Sequence, residues 1–280
     1  MIEIAAQAHG FGARVQGVDL SRPLTPDALA TVKDAFTRHS VIFFADQALA
    51  IEDLERLTLE LGAFGEDPFI APMDGHAHVM EVRREADEKT LVFGAAWHSD
   101  WSFQASPPAA TILYGEVIPP VGGDTLFADG YRAFEALSAT MQAMLAPLRA
   151  VHSARRAYGP RSAYATDARP RSMKIEVSPE AEKSIVHPLV RTHPESGRKA
   201  LFVNPVYTVG IEGMEAEEAS AILNFLFAHM TQDRFVYRHH WAAEMLIMWD
   251  NRCALHTAEG GYDGHRRVMR RTTLAGERPV

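Results

Sequence analysis

From residue 78 to the C-terminus the chain keeps returning to one design: a short apolar or alternating run, then a turn. The runs "HVMEVRR", "AATILYGEVI", "DTLFA", "IVHPLVRTH", "ALFVN", "RFVYRHHW", "EMLIMWDN" and "RVMRRTTLAG" each suit a strand, and turn residues separate them. Strands this short and this numerous point to a mainly β fold with flanking helices, a double-sheet jelly roll. The helical signals are few. Thr25 is an N-cap with Pro26 in the first turn of a helix over 25–38, carrying Leu29, Val32 and Phe36 on one stripe. A buried strand "VIFF" follows at 41–44, then a helix near 51–61 with Leu54, Leu57 and Leu61. A third amphipathic helix, 215–230, presents Ala219, Ile222, Leu223, Leu226 and Met230 together.

No repeat or linker divides the chain, so residues 1–280 are expected to form a single domain. The exception to the strand pattern is 155–183, with five arginines, three prolines and little apolar periodicity. A loop of this length inside a domain reads as a lid insertion. A net charge of −8 disfavours a nucleic-acid partner, and no apolar run reaches the length of a membrane span. The N-terminus lacks a signal-peptide layout. Cys253 is the only cysteine, so no intrachain disulfide forms and a cytoplasmic location is expected.

Chemistry enters at "FGAAWHSDWSFQ", residues 93–104. In an extended segment His98 and Asp100, two apart, point to the same side and present an imidazole and a carboxylate together. A third donor, His256, lies just past the strand "EMLIMWDN", where a barrel loop commonly carries functional groups. In "RVMRRTT", alternation puts Arg267, Met269 and Arg271 on one strand face. Buried guanidinia demand anions, supplied either by this protein's carboxylates or by a small dianion. Two histidines and one carboxylate form the facial triad of non-haem Fe(II) oxygenases, although zinc hydrolases use the same donors. The arginine after the distal histidine favours iron, because it suits an organic diacid that chelates the metal at one end. "HAH" at 76–78 is a second possible metal pair and is assigned to a mobile loop. Cys253 is read as a small buried thiol rather than a nucleophile.

"WHSD" at 97–100, "GGDTLFAD" at 122–129 and "WDNRCALH" with "HRRVMRRTTLAG" together resemble the taurine/chlorophenoxyacetate (TauD/TfdA) dioxygenase family. The resemblance runs from "VQGVDLSRPL" at 15–24 to the C-terminus. It implies a double-stranded β-helix and an Fe(II)- and 2-oxoglutarate-dependent dioxygenase that consumes O2 and releases succinate and carbon dioxide. By that resemblance His98, Asp100 and His256 are the iron ligands, and Thr125 and Arg267 hold the far carboxylate of 2-oxoglutarate. Arg271 matches a position that meets an acidic substrate's head.

Taurine enzymes of the family carry a histidine and an asparagine that align near Ala71 and Gly94 here, which argues against taurine. "VRREADE", "VHSARRAYG", "VHPLVRTHPESGRKALFVN" and "IEGM" resemble the (R)-2-aryloxypropionate dioxygenases. The implied substrate is a small hydrophobic carboxylate, its acid on Arg271 with help from the lid arginines. Phe69, Ile70, Met73, Gly94 and Tyr207 are the candidate pocket residues. Some products would fall apart after hydroxylation, so the net outcome would be cleavage. A sulfonate or sulfate-ester dioxygenase, a zinc hydrolase and a non-catalytic acid sensor are the alternatives. Family habit implies a homo-oligomer, a dimer or tetramer.

Overall fold

The computed structural model describes residues 1–7 and 10–280. Its strands are β1 (Glu3–Ala6), β2 (Ala13–Gln16), β3 (Val41–Phe44), β4 (Pro72–Met73), β5 (His76–Arg84), β6 (Ala110–Val117), β7 (Thr125–Asp129), β8 (Arg149–Ser153), β9 (Ser184–Pro188), β10 (Val190–Thr192), β11 (Lys199–Leu201), β12 (Thr208–Ile211), β13 (Val236–His239), β14 (Met245–Asp250), β15 (Ala254–Ala258) and β16 (Arg267–Leu274). The helices are α1 (Pro26–His39), α2 (Ile51–Leu61), α3 (Gly130–Glu135), α4 (Ala139–Leu145), α5 (Arg155–Tyr158), α6 (Ala163–Thr166) and α7 (Ala216–Met230). The first two helices and α7 begin within one residue of the sequence expectation. Thr25 caps α1 by accepting a hydrogen bond from the Ala28 amide at 3.2 Å.

A large sheet runs in the order β1-β2-β3-β14-β6-β16-β5-β4, antiparallel except where β2 meets β3. A smaller sheet runs β13-β7-β15. β5 and β6 are in the large sheet and β7 in the small one, and from β13 onward successive strands alternate: β13 small, β14 large, β15 small and β16 large.

The central strands are apolar at nearly every position because both faces of the large sheet are covered. Val41, Phe43, Leu113, Ile247, Trp249 and Met269 point into the space between the sheets, where they meet Phe127 and Ala254. Their neighbours Ile42, Phe44, Ile112, Tyr114, Leu246 and Met248 point the other way, onto Val32 and Phe36 of α1 and Leu54 and Leu57 of α2. The period-2 alternation thus fixes which residues of β16 face inward: Arg267, Met269 and Arg271. Behind the small sheet, α3, α4 and α7 close a second core around Phe134, Leu145, Leu223 and Leu226.

The structure departs from the sequence reading in several regions, among them strands β1, β2, β4, β8 and β12, which carried no strand expectation. His76 and His78 open strand β5 instead of sitting in a loop; His76 contacts Glu55 at 3.2 Å and His78 stacks on Phe64. The run 185–193 is two strands, not one, broken where Leu189 exchanges backbone bonds with Leu148 and Phe202. Helices α3 and α4 follow β7 without a strong apolar stripe to announce them, started by side-chain caps from Asp129 and Ser138. Residues 155–183 are not bare loop: they hold α5, α6 and a 3-10 turn at Pro179–Glu182. Among the described residues, no helix is long and apolar enough to cross a membrane.

Phe127 is fully buried where the two sheets meet, with Trp249 at 5.5 Å between ring centroids. Phe127→Ala should therefore lower the unfolding free energy by about 3–5 kcal/mol in urea titrations. A loss near zero would be incompatible with this packing.

Candidate active site

The segment after β5 returns along the free edge of the small sheet. There the His98 amide donates to the His256 carbonyl at 3.0 Å, and the His256 amide donates to the His98 carbonyl at 2.8 Å. Residues directly opposite in an antiparallel pair share a face. The two imidazoles therefore lie side by side, with ring centroids 4.2 Å apart. On β7, Phe127 is the partner of His256, so all three side chains project into the space between the sheets. Asp100 brings its carboxylate to the same place: 3.6 Å from His98 Nε2 and 3.9 Å from His256 Nε2. One donor atom from each of the three lies within 4.8 Å of the others, and all three residues are buried.

Each donor is oriented by its surroundings. His98 Nδ1 is 2.7 Å from the Ala96 carbonyl, which fixes the N–H there and leaves Nε2 as a free lone pair. Asp100 accepts from the Thr111 hydroxyl at 2.6 Å. Thr111 in turn accepts from Asn251, whose side-chain oxygen takes the Trp249 indole N–H. Burial alone would raise the Asp100 carboxyl, but the Arg271 guanidinium and the two imidazoles hold it far below the usual carboxylate range. Burial, with His98 and Arg271 nearby, keeps His256 neutral well below the ordinary histidine value. A buried carboxylate beside two imidazoles is a donor set suited to a divalent transition metal.

The turn before β15 is pinned by charge. Arg252 contacts Asp250 at 2.7 Å, and His193 approaches the same carboxylate at 2.9 Å. Those pairs, with Asn251, set the register at which β15 delivers His256.

The two arginines of β16 differ. Arg271 is enclosed by this protein's own carboxylates: its Nη2 lies 3.1 Å from Asp100 and 3.2 Å from Asp67, at angles that make ion-pair contacts rather than directed hydrogen bonds. Asp67 also accepts from the Trp101 indole and the Thr273 hydroxyl. Arg267 is 5% exposed, and no carboxylate among the described residues forms an ion pair with it. Its Nη2 donates to the Gly123 carbonyl at 3.0 Å, and the Trp241 and Tyr262 rings flank it. Burial depresses its pKa. Beside it, Thr125 Oγ1 accepts the Trp241 indole N–H at 3.0 Å, which leaves the hydroxyl proton to be donated elsewhere. His98, His256, Thr125, Arg267 and Arg271 line one inner cavity.

The remaining candidates divide. Gly94, at φ +75°, and Tyr207 line an outer cavity that also reaches His98. A Cβ at Gly94 would approach His98 to 3.6 Å. Phe69 and Ile70 are buried behind that cavity, packed with Trp101, Tyr158 and Tyr207. Met73 is misplaced by the sequence reading: it packs with the cluster under α1 and α2 and meets Arg270, on the opposite face of β16 from Arg267 and Arg271. Asp67, Thr111, Asn251 and Trp241 were not legible as site residues, since none carries a periodic or spacing signal of its own.

The opposite settings of the two arginines should show in stability without any metal or ligand. Arg271→Ala strands two buried carboxylates and should cost about 3–5 kcal/mol. Arg267→Met removes an unanswered buried charge and should be neutral or stabilising. Equal losses in chemical denaturation would contradict the charge arrangement described.

The model of the family described as "Taurine catabolism dioxygenase TauD, TfdA family" matches residues 3–273. The chain is 39% identical to the alpha-ketoglutarate-dependent 2,4-dichlorophenoxyacetate dioxygenase of Burkholderia sp. (strain RASC), over 96% of this chain and 92% of that protein. It is 31% identical to the alpha-ketoglutarate-dependent sulfate ester dioxygenase of Pseudomonas putida, covering 100% and 91% of the two. A crystal structure of a taurine dioxygenase from Burkholderia xenovorans superposes with a TM-score of 0.83 at 32% identity, covering 100% of this chain and 91% of that one.

Proposed function

The chain belongs to the TauD/TfdA family and is an Fe(II)- and 2-oxoglutarate-dependent dioxygenase; we propose that it hydroxylates a small organic anion of the aryloxyalkanoate type. The observation that carries the site assignment is the buried, unanswered guanidinium of Arg267 beside a His-Asp-His cluster. A charge this deeply buried is tolerable only if a ligand completes it. A dicarboxylate that reaches the metal at one end and Arg267 at the other does so.

His98, Asp100 and His256 would hold the iron, and Arg267 with the Thr125 hydroxyl would hold the far carboxylate of 2-oxoglutarate. When bound, the two groups supply dioxygen activation, one oxygen atom leaving in succinate as carbon dioxide is released and the other entering the substrate as a hydroxyl. The protein's part is positioning and exclusion of water. Thr111 and Asn251 fix the Asp100 carboxylate, and Ala96 fixes the His98 tautomer. Trp249 and Phe127 wall the His256 ring at 4.6 and 6.2 Å.

We read the two sheets as a double-stranded β-helix, which the alternation of successive strands supports, and 155–183 as a lid within one domain. The lid is tied to both neighbouring loops: Ser172 to Glu88, Arg171 to the Leu91 carbonyl, and Ala71 to the Lys174 carbonyl. A homo-oligomer in the cytoplasm belongs to the same reading; the single, buried cysteine supports only the reducing compartment. Similarity to the sulfate ester dioxygenase favours sulfate esters or sulfonates as the second substrate reading. A zinc hydrolase would leave Arg267 and Thr125 without a task.

Under anaerobic conditions with Fe(II), 2-oxoglutarate should raise the unfolding free energy by about 2.7 kcal/mol at a hundredfold excess over its Kd. It should also give a weak visible charge-transfer band. His256→Ala should lose the band, and Arg267→Ala should lose most of the stabilisation. An intact protein with no band and no stabilisation refutes the assignment.

A further inference from the structure

Antiparallel register sets His239 of β13 opposite Thr125 of β7, and Thr125 opposite Ala258 of β15, so the three share one face of the small sheet. Two residues past His239, Trp241 reaches across to the large sheet. Gly115 of β6, paired there with inward-facing Met269, makes room for it: a Cβ at Gly115 would come within 3.2 Å of Trp241 Cε3. The His239 ring, itself tied through Nδ1 to the Tyr237 hydroxyl at 3.1 Å, meets the indole perpendicularly at 4.9 Å between centroids. The indole is thus held between the two sheets by groups the metal donors do not use.

Held there, the indole touches both groups assigned to the far carboxylate of 2-oxoglutarate. Its Nε1 donates to Thr125 Oγ1 at 3.0 Å, and its ring lies 5.9 Å from the Arg267 Cζ. An indole N–H can only donate, so the direction of the first contact is fixed by chemistry: the Thr125 oxygen must accept. A threonine hydroxyl carries one proton on a freely turning bond. With the indole on one lone pair, the orientations that aim that proton at Trp241 are lost. The proton is left for the cavity that Thr125 lines together with Arg267.

We propose that Trp241 is a positioning residue of the co-substrate subsite: its N–H commits the Thr125 hydroxyl to donate to the far carboxylate of a 2-oxo diacid. This rests on the reading that Thr125 and Arg267 take that carboxylate, and deepens it. A donor already turned toward its ligand has less freedom to lose on binding. The gain is confined to acids that have a second carboxylate. Trp241 therefore contributes to the preference for 2-oxoglutarate over a monocarboxylate such as 2-oxovalerate, although it touches neither.

The test uses full-length protein loaded with Fe(II) in the absence of oxygen, and titrates 2-oxoglutarate and 2-oxovalerate by the visible charge-transfer band. Trp241→Phe keeps a ring beside Arg267 and removes the N–H. It should raise the Kd of 2-oxoglutarate roughly three- to tenfold and leave that of 2-oxovalerate within about twofold. In a Thr125→Val background the same substitution should add less than about twofold, because the hydroxyl through which Trp241 acts is gone. Should Trp241→Phe not fold, Gly115→Ala, which presses on the indole without removing it, is read in its place with the same pattern expected. Where 2-oxovalerate binds too weakly to give a band, the Thr125→Val comparison decides alone. An unchanged 2-oxoglutarate Kd, equal losses for both acids, or full additivity with Thr125→Val overturns the assignment and leaves Trp241 as packing. If Thr125→Val and Arg267→Ala themselves leave 2-oxoglutarate binding unchanged, it is the underlying reading of the subsite that fails.

Discussion

One pair of backbone hydrogen bonds organises the site. His98 and His256 lie 158 positions apart in the chain, yet each donates its amide to the other's carbonyl. That exchange commits both side chains to one face and brings Asp100, two residues on, to the same side. The bridge itself depends on the small sheet: β15 is registered on β7, and the Asp250–Arg252–His193 cluster sets where β15 begins. A one-residue slip along this edge would turn His256 away from the interior. The candidate metal donors are thus placed by main-chain register first and by side-chain contacts second.

Charge is distributed unevenly around that bridge. At Arg271 the protein answers a buried cation with Asp67 and Asp100, which gives stability and a fixed carboxylate. At Arg267 it answers with a single carbonyl and two aromatic rings. The first arrangement is complete without a ligand; the second is not. Sites that bind tightly often carry such a deficit in the free state, because pre-placed charge that is already desolvated loses little on binding.

The segment 155–183 contributes one wall of the outer cavity. Its α5 carries Arg156 and Tyr158, its α6 carries Tyr164, and its later part pairs with the loops on either side of β5 through Ile70–Ile175 and Ser172–Glu88. Arg156, Ala157, Tyr158, Ala163 and Tyr164 of this segment form one side of the outer cavity, and residues 91–96 with His98, Val206 and Tyr207 form the rest. Changes there would alter the cavity without touching the metal donors, a division of labour common where loops carry specificity on a rigid frame.

The sequence by itself determined the alternation that builds the large sheet, the three helices with clear stripes or caps, and the inward face of β16. It also marked His98, Asp100, His256 and Arg267, because period-2 geometry and metal chemistry constrain which residue types can stand at those positions, and it marked Thr125 through the resemblance to the TauD/TfdA family. Only the tertiary structure decided that Arg271 is held by Asp67 and Asp100, that Met73 lies on the far face of the sheet, and that Asp67, Thr111, Asn251 and Trp241 support the site. The physical reason is common to all of these. Period and spacing act within a strand, whereas the partner of a buried charge or a hydroxyl is chosen by which strands lie side by side, and that is set by the fold as a whole.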